Sequence, residues 1–286
     1  MTRVWRHHDR RSLDAQFILD SVPNLESLFA RRLERSARAR ERFRPLTVRY
    51  GEGPGETLDV YAAGTRTPVQ VFIHGGFWRS LDAATFAFLA DAFVPAGAML
   101  VVIDYPLIPE VELAAIVAAC ERAIAWTFRN AAGHGGDPGR IHISGNSAGG
   151  HLVALLMDRA WPARHGLPGD VVAGGCAISG LFDLEPVRLS AQNETLALTE
   201  REVAVLSPLR RLPAAAGPLI VAVGGAETEE FRRQSRDYAQ AWRAAGLAGE
   251  ELVVPGANHI DIVLDHLGDR GSPLHVAVRR QMGLAG

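Results

Sequence analysis

Gly145-Asn146-Ser147-Ala148-Gly149-Gly150-His151 separates the apolar run Arg140-Ile141-His142-Ile143-Ser144 from Leu152-Val153-Ala154-Leu155-Leu156-Met157. The first run has strand character and the second helical character, so G-x-S-x-G falls between a strand and a helix. That context marks a nucleophile elbow, a turn so tight that the flanking side chains must be small and the serine hydroxyl stands clear of the sheet. Working outward, His74-Gly75-Gly76-Phe77-Trp78 follows the apolar strand Val69-Gln70-Val71-Phe72-Ile73. A glycine pair at a strand end supplies backbone N–H groups to an anionic intermediate. The two motifs in this order predict serine-based acyl-transfer chemistry.

Composition sets the frame. The 286 residues are 48% hydrophobic, with formal net charge −2 and a sequence pI near 6.6. A chain of this length forms one α/β domain over 1–286, and its balance gives no reason to expect nucleic acid or an anionic membrane as partner. Cys120 and Cys176 lie in apolar runs and read as buried free thiols. Met1 to Arg11 is polar and charged, and no apolar run nears the ~20 residues of a membrane span, so a cytoplasmic location is expected. All 30 basic residues besides histidine are arginine. Without lysine, Schiff-base, P-loop and S-x-x-K chemistries are excluded.

Along the chain, Ser12 to Arg44 reads as a helical segment with Leu25, Leu28, Phe29 and Leu33 on one face. Eleven arginines precede Pro45, interleaved with six acids, which suits a solvated face over the core. Edge strands are expected at Leu46–Gly51 and Thr57–Tyr61. Further strands fall at Val69–His74, Ala98–Asp104, Arg140–Ser144, Val171–Ser179, Leu219–Gly224 and Glu251–Val254. Helices fill Ala83–Val94, Val111–Arg129, Ala148–Ala160, Glu229–Ala245 and Pro273–Met282. Apolar strands alternating with helices mean a mostly parallel central sheet with helices on both faces. Residues 186–207 interrupt the alternation and are the candidate for a small cap or lid.

A nucleophilic serine needs a base and an orienting acid. His259 stands just after the last strand, where strand C-termini face the active-site edge, and is the expected base. His151 sits on the elbow helix and is expected to pack or cap, while His266 and His275 are expected at the surface. The acid belongs to Gly224-Gly225-Ala226-Glu227-Thr228-Glu229-Glu230. Glu229 and Glu230 fall in a first helical turn, where acids complement the helix dipole. Glu227 is therefore favoured, with Glu229 as the fallback. Gly75, Gly76 and Ala148 would supply the oxyanion N–H groups. His74 would tether the glycine loop, Phe77 and Phe182 are candidates for the substrate pocket, and Trp78 reads as core or, alternatively, as a wall of that pocket.

His74 to Trp78, Gly145 to His151, Ser179-Gly180-Leu181-Phe182-Asp183-Leu184-Glu185-Pro186 and the acid stretch Gly224–Ser235 together resemble the arylformamidases, the kynurenine formamidases of the α/β-hydrolase superfamily. The first two motifs are shared with hormone-sensitive-lipase-like esterases; the last two narrow the resemblance. Phe77 replaces the third glycine of a lipase-type loop, and Glu227 stands where many relatives carry Asp. The resemblance implies an α/β-hydrolase fold and hydrolysis of N-formyl-L-kynurenine to L-kynurenine and formate, with a short-chain carboxylesterase as the alternative. No H-x-G-T-H or H-E-x-x-H cluster occurs, so no metal or cofactor is expected. The partner is a small-molecule substrate, and a homodimer stays open.

Overall fold

The computed structural model describes residues 2–20 and 22–284. Eight strands form one sheet: β1 Leu46–Arg49, β2 Thr57–Tyr61, β3 Thr67–Ile73, β4 Met99–Ile103, β5 Gly136–Asn146, β6 Val172–Ile178, β7 Leu219–Gly224 and β8 Gly249–Val254. Their order is β1-β2-β4-β3-β5-β6-β7-β8. The β1/β2 and β2/β4 pairs are antiparallel and the rest parallel, the α/β-hydrolase arrangement. β2 was expected at an edge; it lies inside the sheet, with β1 as the edge. Its Leu58, Val60 and Tyr61 are buried, which a true edge strand would leave half wet.

The helices are α1 Arg10–Asp14, α2 Leu25–Phe43, α3 Ala90–Phe93, α4 Leu113–Asn130, α5 Ala148–Leu156, α6 Glu185–Arg188, α7 Asn193–Leu196, α8 Glu200–Leu206, α9 Glu229–Ala244 and α10 Pro273–Gln281. The central strands are buried on both faces by two apolar clusters, one around Ile73, Ile143 and Ile124, the other around Phe72, Ile178 and Leu264. Cys120 and Cys176 are free and buried. Among the described residues, no helix is long and apolar enough to cross a membrane.

The N-terminal segment departs from the single helix expected over 12–44. Residues 15–20 and 22–24 are not helical, and Ser21 lies outside the described residues. Val22-Pro23 explains the break, because the residue before proline is driven out of the helical region. α2 then turns Arg32, Ser36 and Ala39 inward and leaves Leu33 exposed, contrary to the expected apolar face. His275, expected at the surface, is buried against Phe93 (ring centroids 4.7 Å apart), with Nδ1 2.8 Å from the Leu267 carbonyl oxygen.

The parallel topology places the chemistry. β3 is flanked by β4 on one side and β5 on the other, so the crossovers reverse there and open a crevice at the strand C-termini. His74 leaves the end of β3, Ser147 that of β5, Ser179 that of β6, Glu227 follows β7 and His259 follows β8. Five adjacent parallel strands thus deliver these residues to one edge of the sheet.

Candidate active site

Ser147 joins β5 directly to α5 with φ 60° and ψ −118°, a conformation that costs about 1–3 kcal/mol outside glycine and concentrates at functional turns. Its N–H donates to the Ile178 carbonyl at 2.8 Å, and its own carbonyl accepts from His151 at 3.0 Å. The turn is this tight because α5 starts against the backbone of β3. A Cβ on Gly149 would lie 2.0 Å from the Ile73 carbonyl oxygen, so no larger residue fits there.

Glu227 and His259 are brought together. The His259 ring meets Glu227 Oε2 through Nδ1 at 2.6 Å. The other carboxylate oxygen, Oε1, accepts from the Ser179 hydroxyl at 2.5 Å and from the Gly224 N–H at 2.7 Å. The acid and base loops are laced directly: Ala226 N–H donates to the Ala257 carbonyl at 2.9 Å, and Gly225 N–H to that of Val254 at 2.8 Å. Gly224 permits this approach, since its Cβ would fall 2.2 Å from the Ala257 oxygen. Asn258 Oδ1 accepts from the N–H groups of Ile260 and Asp261, and Asp261 accepts from Asn258, which clamps the turn carrying His259. Phe231 lies against the imidazole, ring centroids 4.3 Å apart. Glu229, the fallback acid, is directed elsewhere, 3.3 Å from His7 Nε2.

Ser147 and His259 line one cavity of about 430 Å³, within the range of small-ligand sites, together with Gly75, Gly76, Phe77 and Asn146. No hydrogen bond joins the Ser147 hydroxyl to the imidazole among the described residues. Such bonds are often long before substrate binds. The N–H groups of Gly75 and Gly76 make no hydrogen bond among the described residues, and that of Ala148 is the first of α5, one of the groups a helix leaves unpaired. His74 is buried, stacked on Tyr105 at 4.2 Å, with Nδ1 2.7 Å from the Gly75 carbonyl oxygen. The Tyr105 hydroxyl donates to the His74 carbonyl at 2.8 Å. Burial pushes the His74 pKa down to about 4, so the ring is neutral near pH 7 and acts as a tether.

Two of the three pocket candidates are displaced. Trp78 is fully buried, its indole edge-on to His151 at 5.0 Å, and Phe182 is fully buried and stacked on Tyr238 at 4.4 Å. Neither lines the cavity; Phe77 does. Phe77 and Trp78 both have positive φ (51° and 57°), and this turn sends one side chain to the cavity and the next into the core. His151 packs there as expected, with Nε2 2.8 Å from the Leu206 carbonyl oxygen.

Sequence reasoning missed several residues. Ser179 orients the acid, and its signal was its place at the end of a strand. Asn146 lines the cavity with a buried side-chain amide nitrogen that has no partner. Phe17, Ile18 and Leu19, expected on a helix, instead form a wall of the cavity. Gln192, between α6 and α7, donates to the Phe17 carbonyl at 3.2 Å and accepts from Arg79 at 2.7 Å, tying residues 185–206 to this wall. Among the described residues, His7, His8 and Glu229 form a cluster with metal-ligand spacing, and it shares no residue with Ser147, Glu227 and His259.

The family profile of the alpha/beta hydrolase fold matches residues 70–262. A kynurenine formamidase of Salmo salar is 31% identical over 248 residues, covering 83% of this chain and 82% of that protein. Esterase LipQ of Mycobacterium tuberculosis is 30% identical over 239 residues, 74% of this chain and 56% of that one. The solved structure of a candidate thioesterase from Silicibacter sp. tm1040 superposes with TM-score 0.81 at 25% identity, covering 92% of this chain and 97% of that one. With the glycine loop, the elbow, Ser179 and the acid–base pair on five adjacent strand ends, this chain belongs to the α/β-hydrolase family that includes the hormone-sensitive-lipase-like esterases.

Proposed function

We propose that the protein is an arylformamidase that hydrolyses N-formyl-L-kynurenine to L-kynurenine and formate. The observation that carries this reading is the similarity to kynurenine formamidases over most of both chains. The cavity supports it chemically. Phe17, Phe29, Phe77 and Phe86 give it aromatic walls suited to a planar arylamine, and its two charged lining residues, Arg32 and Arg79, are both cationic.

In this mechanism the Ser147 hydroxyl attacks the formyl carbon as His259 takes its proton. Glu227 holds the imidazole with hydrogen on Nδ1 and stabilises the imidazolium that forms. Gly75, Gly76 and Ala148 N–H groups receive the negative oxygen, a contribution of roughly 3–4 kcal/mol for one such donor in a studied hydrolase. His259 then gives the proton to the departing arylamine nitrogen, the C–N bond breaks, and the formyl group stays on Ser147. Water, deprotonated by His259, attacks the formyl-serine; the bond from Ser147 Oγ to the formyl carbon breaks, His259 returns the proton to Oγ, and formate leaves. Phe77, which follows Gly76 and lines the cavity, is expected to limit the acyl side to short groups.

The second reading, a short-chain carboxylesterase, draws on the likeness to LipQ and to solved esterases. Values of kcat/KM for N-formylkynurenine and for acetyl, butanoyl and hexanoyl esters separate the two. The formamidase reading expects N-formylkynurenine first and a fall of about 10- to 100-fold per misfit step along the esters. A flat or rising ester profile without formate release from N-formylkynurenine assigns the chain to the carboxylesterases.

A further inference from the structure

Arg32 is a charged residue in a place that ordinarily excludes one. It projects from the inner face of α2, is only 7% exposed and lines the cavity that holds Ser147 and His259. Buried charges are ordinarily paired, because an isolated ion loses several kcal/mol of hydration. Among the described residues, Arg32 has no ion pair within 4 Å and no hydrogen bond, and its Nε is explicitly without a partner. Its guanidinium instead lies over two rings, Phe29 at 4.9 Å and Phe86 at 5.1 Å.

Ring contacts engage the faces of a guanidinium and leave its in-plane N–H groups free. Asp82, the carboxylate whose charge Arg32 senses, is occupied as the cap of the following turn, accepting from the Thr85 N–H at 2.8 Å. Arg79, the second cation on the cavity wall, is joined to the neutral Gln192. Among the described residues, no Asp or Glu lines the cavity. Burial lowers the Arg32 pKa to about 10, which leaves it charged near neutrality.

We infer that Arg32 is the subsite for a carboxylate carried by the substrate, so that the enzyme selects carboxylate-bearing acyl donors over those of the same shape without that charge. A carboxylate matches the fork of a guanidinium and would restore the partner that the fold withholds. The inference rests on the cavity being the site of acyl transfer and deepens the proposed formamidase activity, whose substrate carries an α-carboxylate.

The test compares substrates of matched shape whose carboxyl group is charged or neutral: N-formylkynurenine against its carboxamide, and 4-acetoxybenzoate against 4-acetoxybenzamide, with wild type, Arg32→Met and Arg32→Lys. The readout is the ratio of kcat/KM for the charged over the neutral member. Wild type should favour the charged member. Arg32→Met, which keeps an apolar stem against Phe86, should collapse the ratio by about 10- to 100-fold, the value of a hydrogen bond to a charged group, mainly through KM. Arg32→Lys should retain part of it. A benzoate that inhibits wild type competitively, and more strongly than benzyl alcohol, supports the subsite without any variant. Equal ratios in wild type and Arg32→Met, or no wild-type preference for the anion, overturn it. If the ester pair shows the Arg32-dependent preference while N-formylkynurenine is inert, the formamidase reading fails and the carboxylate subsite stands.

Discussion

Replacing Glu227 by Gln tests the acid with a magnitude that the surrounding hydrogen bonds set. In the native site Oε1 accepts from Gly224 N–H and Ser179, and Oε2 faces His259 Nδ1. A glutamine must put its NH₂ at one of these ends. Facing His259, the NH₂ donates to Nδ1 and forces the ring hydrogen onto Nε2, which then cannot take the serine proton. In the reverse orientation two buried donors, the amide N–H and Gly224 N–H, oppose one another and both lose their acceptors. At about 1–3 kcal/mol for each buried unsatisfied group, the productive orientation lies roughly 2–6 kcal/mol above the unproductive one. The neutral amide also forfeits about 1.5–3 kcal/mol of charged hydrogen bonding to the imidazolium. Together these amount to roughly 3.5–9 kcal/mol, and at 1.36 kcal/mol per decade at least several hundredfold. The matching change in a studied triad costs about 10⁴ in kcat. We therefore expect Glu227→Gln to lose about 10⁴ in kcat on 4-nitrophenyl acetate with KM little altered, while Glu229→Gln keeps near wild-type turnover. A folded Glu227→Gln within about tenfold of wild type, or an equal loss in Glu229→Gln, refutes the assignment.

Three further outcomes follow from burial and fit. Trp78→Ala should destabilise by about 3–5 kcal/mol in urea titrations, since it empties a core position and does not merely trim the pocket; a loss under ~1 kcal/mol contradicts the packing described. Gly149→Ala should fail to give a native far-ultraviolet spectrum and melting transition because its Cβ would meet the Ile73 carbonyl oxygen at 2.0 Å, whereas Gly133→Ala, with nothing within 4 Å, should be neutral or slightly stabilising. His74, His142 and His151 all have pKa values lowered to about 4 by burial. Their unfolded forms bind protons first, so the stability each lends is complete above its unfolded value near 6.5 and is lost as pH falls towards 4. Burial raises Asp104 to about 6 and also raises Asp261, which opposes this, while His275 is lowered like the other three histidines. Urea midpoints should drop from pH 7 to pH 4.5, and a level profile would contradict these assignments.

The catalytic geometry was legible because its signals are local: an apolar strand, then a glycine-bounded polar residue, repeated at consecutive strand ends. Glu227 was readable as the first acid after β7 and His259 as the histidine in the loop after β8. The cavity walls were not. Phe17 to Leu19 carry no mark in sequence that separates a helix face from a strap across the site, although Val22-Pro23 did announce a break. Arg32 was read as a solvated charge because periodicity assigns arginine outward; only the rings of Phe29 and Phe86 explain its burial. Closeness to a motif in sequence does not fix side-chain direction: successive left-handed backbone at Phe77 and Trp78 sends Trp78 to the core, the plainer of its two readings, and Phe182, read as a pocket residue, stacks on Tyr238 instead.

Covalent labelling tests the central claim most directly: that Ser147 is a nucleophile activated by His259 and Glu227. The protein is incubated with a fluorophosphonate and mapped by peptide mass spectrometry. The account predicts one adduct, on the peptide containing Ser147, absent from Ser147→Ala and formed far more slowly in His259→Ala and Glu227→Gln. Labelling at another serine, or wild-type labelling rates in His259→Ala, would contradict it.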